Sequence, residues 1–212
     1  MKTPSEDVAA EYPLQQLPAQ PPALAERLSQ TLLTLVASPP ESKALPCAQP
    51  AERARQLAGE AAARAALAAG SLALPPGPLG WLTVMPEMLA VWRIQSQLVA
   101  DIAALYGRSA ELGQAQMLYC LFRHTAAQAV RDLAVRVGER LLVRPATTAL
   151  LQRVAGQIGA KLGEKLLQKT VSRWVPVLGA AAVSAYAFYD TQQVGRAAVE
   201  LFEREQLLDN PA

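Results

Sequence analysis

Residues 86–107 read PEMLAVWRIQSQLVADIAALYG, and this stretch decides the fold class. Leu89, Trp92, Leu98, Ile102 and Leu105 recur at helical spacing, without the alternation of a strand. Pro86 suits a first helical position, and Glu87 suits the positive end of the aligned peptide dipoles. Tyr106-Gly107 is a stop signal, because glycine readily takes the left-handed turn that closes a helix. Arg93, Gln97 and Asp101 fall four residues apart and form a polar line on one face.

Working outward, the same periodicity predicts helices at 22–37, with Leu24, Leu28, Leu32 and Leu35 as its stripe, and at 51–69, stopped by Gly70. Pro39-Pro40 closes the first of these. Residues 109–143 read as one or two helices, residues 146–172 as another after Pro145, and residues 191–206 as a last amphipathic helix. Between Ala65 and Pro86 there is no charge, and Pro75, Pro76, Gly77, Pro78 and Gly80 break any helix there. That segment, centred on 71–86, reads as an apolar hairpin. A second charge-free run, WVPVLGAAAVSAYAFY at 174–189, has sixteen residues where a membrane span needs about twenty. It is expected to be a buried core helix. The expected fold is all-α, a single compact multi-helix bundle with an apolar Pro/Gly hairpin. The expected division is a disordered tail at 1–20, a helix and proline-rich linker at 21–50, a helical domain at 51–206 and a short tail at 207–212. Nine of the sixteen prolines, and no glycine, fall within the first fifty residues.

Composition narrows the function. Apolar residues make up 51% of the chain, which excludes a disordered protein, while charged residues are only 18%. Part of the surface is therefore expected to face a partner, a membrane or a second copy. Net charge is +2, yet residues 131–173 carry nine basic groups against three acidic. Arg153, Lys161, Lys165, Lys169 and Arg173, with Gln157 between, recur every four residues along the 146–172 helix and just past it. Such a stripe suits an anionic membrane surface, at about 1 kcal/mol per basic residue. Its alternative is a solvated outer face. Nucleic acid is disfavoured, since no aromatic residues interleave with the lysines. Gly156, Gly159 and Gly163 on the same helix each cost roughly 1 kcal/mol relative to alanine, which predicts a very close neighbouring helix.

Catalytic chemistry finds little purchase. One histidine, His124, and two distant cysteines, Cys47 and Cys120, make no standard zinc site, and no metal or cofactor is expected. There is neither a Gly-x-Ser-x-Gly elbow nor a phosphate-binding loop. His124 reads as an ordinary histidine. Arg93 and Asp101 lie about 12 Å apart along a helix, so their partners are expected elsewhere, at Glu164, Lys165 or Asp190. An enzyme, for instance a hydrolase, would have to be built from Arg93, Asp101, Glu164, Lys165 and Asp190. A soluble module that forms homo-oligomers through the glycine strip is a third class. Residues 1–20 hold Lys2 but also Glu6, Asp7 and Glu11 with no apolar run, so no signal peptide is expected. The expected place is the cytoplasm, peripherally at the inner membrane.

Several segments share a pattern. Val91-Trp92-Arg93-Ile94 followed by Asp101-Ile102-Ala103-Ala104-Leu105-Tyr106-Gly107 resembles the "R-I-x-x-I-A-x-x-Y-G" region of the EcsC family. Gly163-Glu164-Lys165 and Val175-Pro176-Val177-Leu178-Gly179-Ala180 are similar to its later "E-K" and "P-x-x-G-A" segments. The resemblance spans about residues 50–205. Tyr186, Phe188 and Tyr189 depart from it, standing where small and amide residues are expected. A related pattern occurs in membrane-associated helical domains attached to some small GTPases. Asp190-Thr191 through Gly195-Arg196 resembles its "T-x-x-x-G" segment, although this chain has no GTPase module. The EcsC resemblance implies a bacterial helical protein with a cell-envelope association, and no particular reaction. The leading expectation is a non-enzymatic accessory protein that touches the membrane or a membrane-protein partner, such as a transporter.

Overall fold

The computed structural model describes residues 21–72, 80–127, 130, 148–169 and 176–209. The expectations for the 1–20 tail, the hairpin tip at 73–79, Arg173 and most of the stretch from 131 to 147 lie outside the described residues. Six α-helices and no strand occur among those that are described. They are α1 (Pro21–Ala37), α2 (Pro50–Leu72), α3 (Gly80–Leu105), α4 (Gln114–Phe122), α5 (Thr148–Lys169) and α6 (Pro176–Asp209). The protein is all-α.

Helices α2, α3 and α6 pack on one another. The buried face of α2 is alanine throughout: Ala54, Ala58, Ala61, Ala62, Ala65 and Ala69. Side chains this small bring α6 so close that a Cβ added to Gly195 would lie 2.7 Å from that of Ala58. At the other end of the pair, Gly70 lies directly against Ser184. Residue 58 thus faces 195 while residue 70 faces 184, so the two helices are antiparallel. Gln95 of α3 bonds Asp190 and Thr191 of α6, and Tyr106 bonds Glu203, so those two helices are parallel. The helix α3 is buried on most sides and ends at Gly107, whose φ is +71°. There the N–H of Arg108 bonds the carbonyl of Ala103, and that of Gly107 bonds Ala104, a closure that needs a residue free to turn left-handed.

A second pair, α1 and α5, packs antiparallel and meets the rest mainly through α4. The apolar stripe of α1 is Leu24, Leu28, Leu32 and Val36, and these join a single core with Ile102, Met117, Ile158 and Phe202. Leu35, placed in that stripe by spacing alone, is only half-buried. Trp92 meets Phe122 edge-on at 5.7 Å, which fixes α4 against α3. The segment between α1 and α2 is extended and pinned to α3: Ser42 donates to Asp101 at 2.7 Å, and Cys47 N–H bonds the Leu105 carbonyl.

Three expected boundaries move. Gly70 lies inside α2, because it fills a tight crossing with α6 rather than a turn. The helix α3 begins at Gly80 and carries Pro86 inside it, in its second turn. From Pro176 on, the runs at 174–189 and 191–206 form one helix, α6, since nothing at Asp190-Thr191 breaks it.

The glycines of α5 separate cleanly. A Cβ at Gly159 would lie 2.5 Å from the Ala25 carbonyl oxygen and 3.1 Å from the Ser29 nitrogen. At Gly163 it would make ordinary contact with Ala25, and at Gly156 it would meet nothing within 4 Å. Gly159→Ala is therefore expected to lower stability by about 1–3 kcal/mol, because two backbones must part. Gly156→Ala is expected to raise it by roughly 0.5–1 kcal/mol through helix propensity. Urea unfolding of the two variants checks both signs.

Candidate functional site

The two charge-free segments meet at one end of the molecule. The C-terminal end of α2 and the start of α6 lie side by side there, with α3 beside them. Ala65 and Ala69 of α2, Val91 of α3 and Ala187 of α6 form a small apolar cluster, joined by Ile94 and Val183. Its outer side is not covered. Leu67 is 74% exposed, Tyr186 45%, Phe188 41% and Tyr189 61%. Between 180 and 189 only Ala187 is buried. The expectation of a core helix at 174–189 is thus corrected for residues 180–189. Among the described residues, the exposed positions of α6 from 181 to 189 carry no charge, and their only polar side-chain atoms are the hydroxyls of Tyr186 and Tyr189. Side chains of Trp174 to Gly179 lie outside the described residues.

Just beyond this end lies a polar junction. Gln95 is 1% exposed, and its amide donates to Asp190 Oδ2 at 2.7 Å and to Thr191 Oγ1 at 3.2 Å. His124 Nε2 lies 2.7 Å from Asp190 Oδ1, so the carboxylate favours the tautomer with the proton on Nε2. Tyr186 also donates to Asp190. Burial pushes the Tyr186 phenol up to about 12, helped by the charge of Asp190 and by that hydrogen bond. His124 Nδ1 and Thr125 Oγ1 are buried with no partner among the described residues. The carboxylate of Asp190 thus ties α3, α4's end and α6 together in a largely apolar interior, where an unmet charge would be costly.

Of the five proposed catalytic residues, the four whose side chains are described, Arg93, Asp101, Glu164 and Asp190, make no common cluster. Gln95, the partner of Asp190, and Gln97, the partner of Asp101, are two residues apart on α3. Two steps of 100° turn them to opposite sides of the helix. Asp101 accepts from Gln97 at 2.9 Å and from Ser42 at 2.7 Å. It lines a broad groove of about 1120 Å³ between the 41–49 strap and α2. Arg93 is exposed, and Glu164 is exposed on α5. The side chain of Lys165 lies outside the described residues. The partners expected for Asp101 are therefore replaced by Ser42 and Gln97. His124, read as ordinary, holds Asp190. No spacing rule links residue 124 to residue 190, and only the fold reveals that contact.

On α5, Leu151, Val154 and Ile158 are buried, Arg153 is exposed, and Lys161, one helical repeat from Val154, is half-buried at the edge of the same face. The side chains of Lys165 and Lys169 lie outside the described residues. Six residues separate Lys169 from Pro176, so covalent geometry holds the end of α5 within about 25 Å of the start of α6. Among the described residues no group of three or more His, Cys, Asp or Glu is placed to hold a metal. No described helix is long and apolar enough to cross a membrane. Cys47 is exposed and Cys120 buried, both as free thiols. No family model, curated protein or solved structure matches the chain.

The junction has a readable signature. The folded-state phenol of Tyr186 is raised, so its neutral form is favoured by folding. The stability it contributes is complete below the unfolded value near 10 and is lost as pH rises towards about 12. Tyr106 is shifted in the same direction by burial and by Glu203. Asp190→Asn removes the charge beside Tyr186, so the Tyr186 phenol is expected to titrate at lower pH. Ultraviolet difference titration against a Tyr186→Phe control measures this. An unchanged titration would contradict the Tyr186–Asp190 hydrogen bond.

Proposed function

We propose that this chain is a non-enzymatic bacterial accessory protein that docks peripherally on a membrane face, meeting anionic lipid or a membrane-protein partner such as a transporter. One observation carries the reading: the two charge-free segments lie together at one end and leave Leu67, Tyr186, Phe188 and Tyr189 exposed. Large apolar side chains left exposed at one end mark a place of contact. The six residues between α5 and α6 keep the basic helix within about 25 Å of the start of α6, and its lysines suit an anionic surface. The likeness of Val91–Gly107 to the EcsC pattern, with its cell-envelope association, points the same way. The inner membrane, reached from the cytoplasm, is the proposed location.

The enzyme reading gains nothing from the geometry, since Asp101 and Asp190 face opposite sides of α3 and Arg93 and Glu164 lie open on two different helices. Of the glycine strip invoked for the oligomer reading, Gly159 is filled by α1 of the same chain, while Gly156 stays open.

Fractionation of native cells tests the proposal. Wild type is expected in the membrane pellet. The triple reversal Lys161→Glu, Lys165→Glu, Lys169→Glu is expected to move it to the supernatant, since each basic residue near an anionic surface is worth about 1 kcal/mol and reversal turns attraction to repulsion. Wild type found only in the supernatant would refute the reading.

A further inference from the structure

The register of the three long helices brings their charge boundaries to one level. On α2 the last charged residue before the apolar end is Arg64. On α6 the first is Asp190, and on α3 Arg93 follows the uncharged run 88–92. Gly70 faces Ser184 and Ala58 faces Gly195, so Arg64 of α2 stands level with about Asp190. Gln95 bonds Asp190, so Arg93 stands within about one turn of it. Three positions far apart in sequence thus form a single tier. Beyond it, towards Pro176, the exposed side of α6 is Ala181, Ala182, Ala185, Tyr186, Phe188 and Tyr189. On the other side of the tier the same outward face of α6 carries Gln192, Gln193, Arg196 and Glu200, and α2 exposes Glu60 and Arg53. The change in polarity follows height along the bundle. An amphipathic helix in water would change around its circumference instead. Glu87 is the one charge that the sequence puts within the apolar end, and its side chain lies outside the described residues.

We infer that this end inserts directly into one leaflet of an anionic phospholipid bilayer, with the Arg64–Arg93–Asp190 tier at the headgroup level. The inference rests on the peripheral membrane reading and names its occupant. Two observations favour lipid over protein. First, Tyr186 and Tyr189 sit at the boundary, where an amphipathic ring has its apolar body in hydrocarbon and its hydroxyl at the polar layer. Second, α6 from Pro176 to Tyr189 rises about 20 Å, enough to enter one leaflet of a hydrocarbon core about 30 Å thick and too short to cross it. Charge complementarity in the sequence supplies the rest, since residues 131–173, which precede α6 in the chain, have nine basic groups against three acidic.

Flotation of the purified full chain with protein-free vesicles of phosphatidylcholine and phosphatidylglycerol tests the inference. Wild type is expected to float with the vesicles. Phe188→Asp/Tyr189→Asp is expected to bind at least about tenfold more weakly, a loss of about 1.4 kcal/mol or more. Gln192→Asp adds the same kind of charge beyond the tier and is expected to bind as wild type. Phe188→Ser/Tyr189→Ser, which adds no charge, is expected to weaken binding in the same direction. Far-UV circular dichroism confirms that each variant is folded. Wild type that pellets with native membranes yet ignores vesicles overturns the inference and leaves the membrane-protein reading standing. Vesicle binding that survives both double variants overturns it too. So does a wild-type dimer that the double variants convert to monomer without any vesicle binding.

Discussion

The structure depends on the close crossing of α2 and α6. Ala58 against Gly195 leaves no room for a larger side chain, and at Gly70 an added side chain would have to turn the Ser184 hydroxyl aside. Packing this close gains many weak dispersion contacts along two long helices, and it penalises any slip, because a shift would bring the next larger residue into the gap. Register is therefore fixed by steric exclusion. Everything placed by that register follows: the meeting of the two charge-free segments, the position of Asp190 beside Gln95, and the common level of Arg64, Arg93 and Asp190. The scarcity of aromatic residues and the abundance of alanine are the compositional trace of the same constraint.

Much of the fold was legible because helices announce themselves locally. The stripe of α1, the glycine stop at Gly107 and the break after Pro39-Pro40 each depend on residues within a turn or two of the event. Where reading failed, the deciding partner lay far away in sequence. Gly70 looks like a stop and is a crossing point, because Ser184 sits over it. Pro86 looks like a first residue and stands inside α3, where it forfeits the bond that an N–H would make to the carbonyl four residues earlier. Gly156, Gly159 and Gly163 look equivalent, yet only Gly159 meets the α1 backbone within 3 Å. A one-dimensional pattern shows that an approach is wanted and does not show which rung is used.

The candidate site was harder to read for a related reason. The spacing of Arg93, Gln97 and Asp101 correctly puts three polar groups on one face, but it is silent about Gln95 on the opposite side, which turns out to hold the buried carboxylate. His124 carries no motif, and its contact with Asp190 spans two elements. The exposure of Tyr186, Phe188 and Tyr189 could not be read from hydropathy either. An apolar run reports a preference to leave water, and only the arrangement of neighbours decides whether the chain itself provides the shelter. One signal was available: these residues depart from the small and amide side chains of the pattern the chain resembles.

The pairing of α1 with α5 bears on how the molecule is made. Ala25 and Ser29 find Gly159 only after the whole of α2, α3 and α4 has been synthesised in between. A ribosome working from the N-terminus leaves Leu24, Leu28 and Leu32 without their helical mate for on the order of ten seconds. Helices α2 and α3, adjacent in the chain, meet far sooner, since short loops close at little entropic cost. The nascent chain thus carries a greasy leading helix through most of its translation, and that interval is when it is most open to capture by a chaperone.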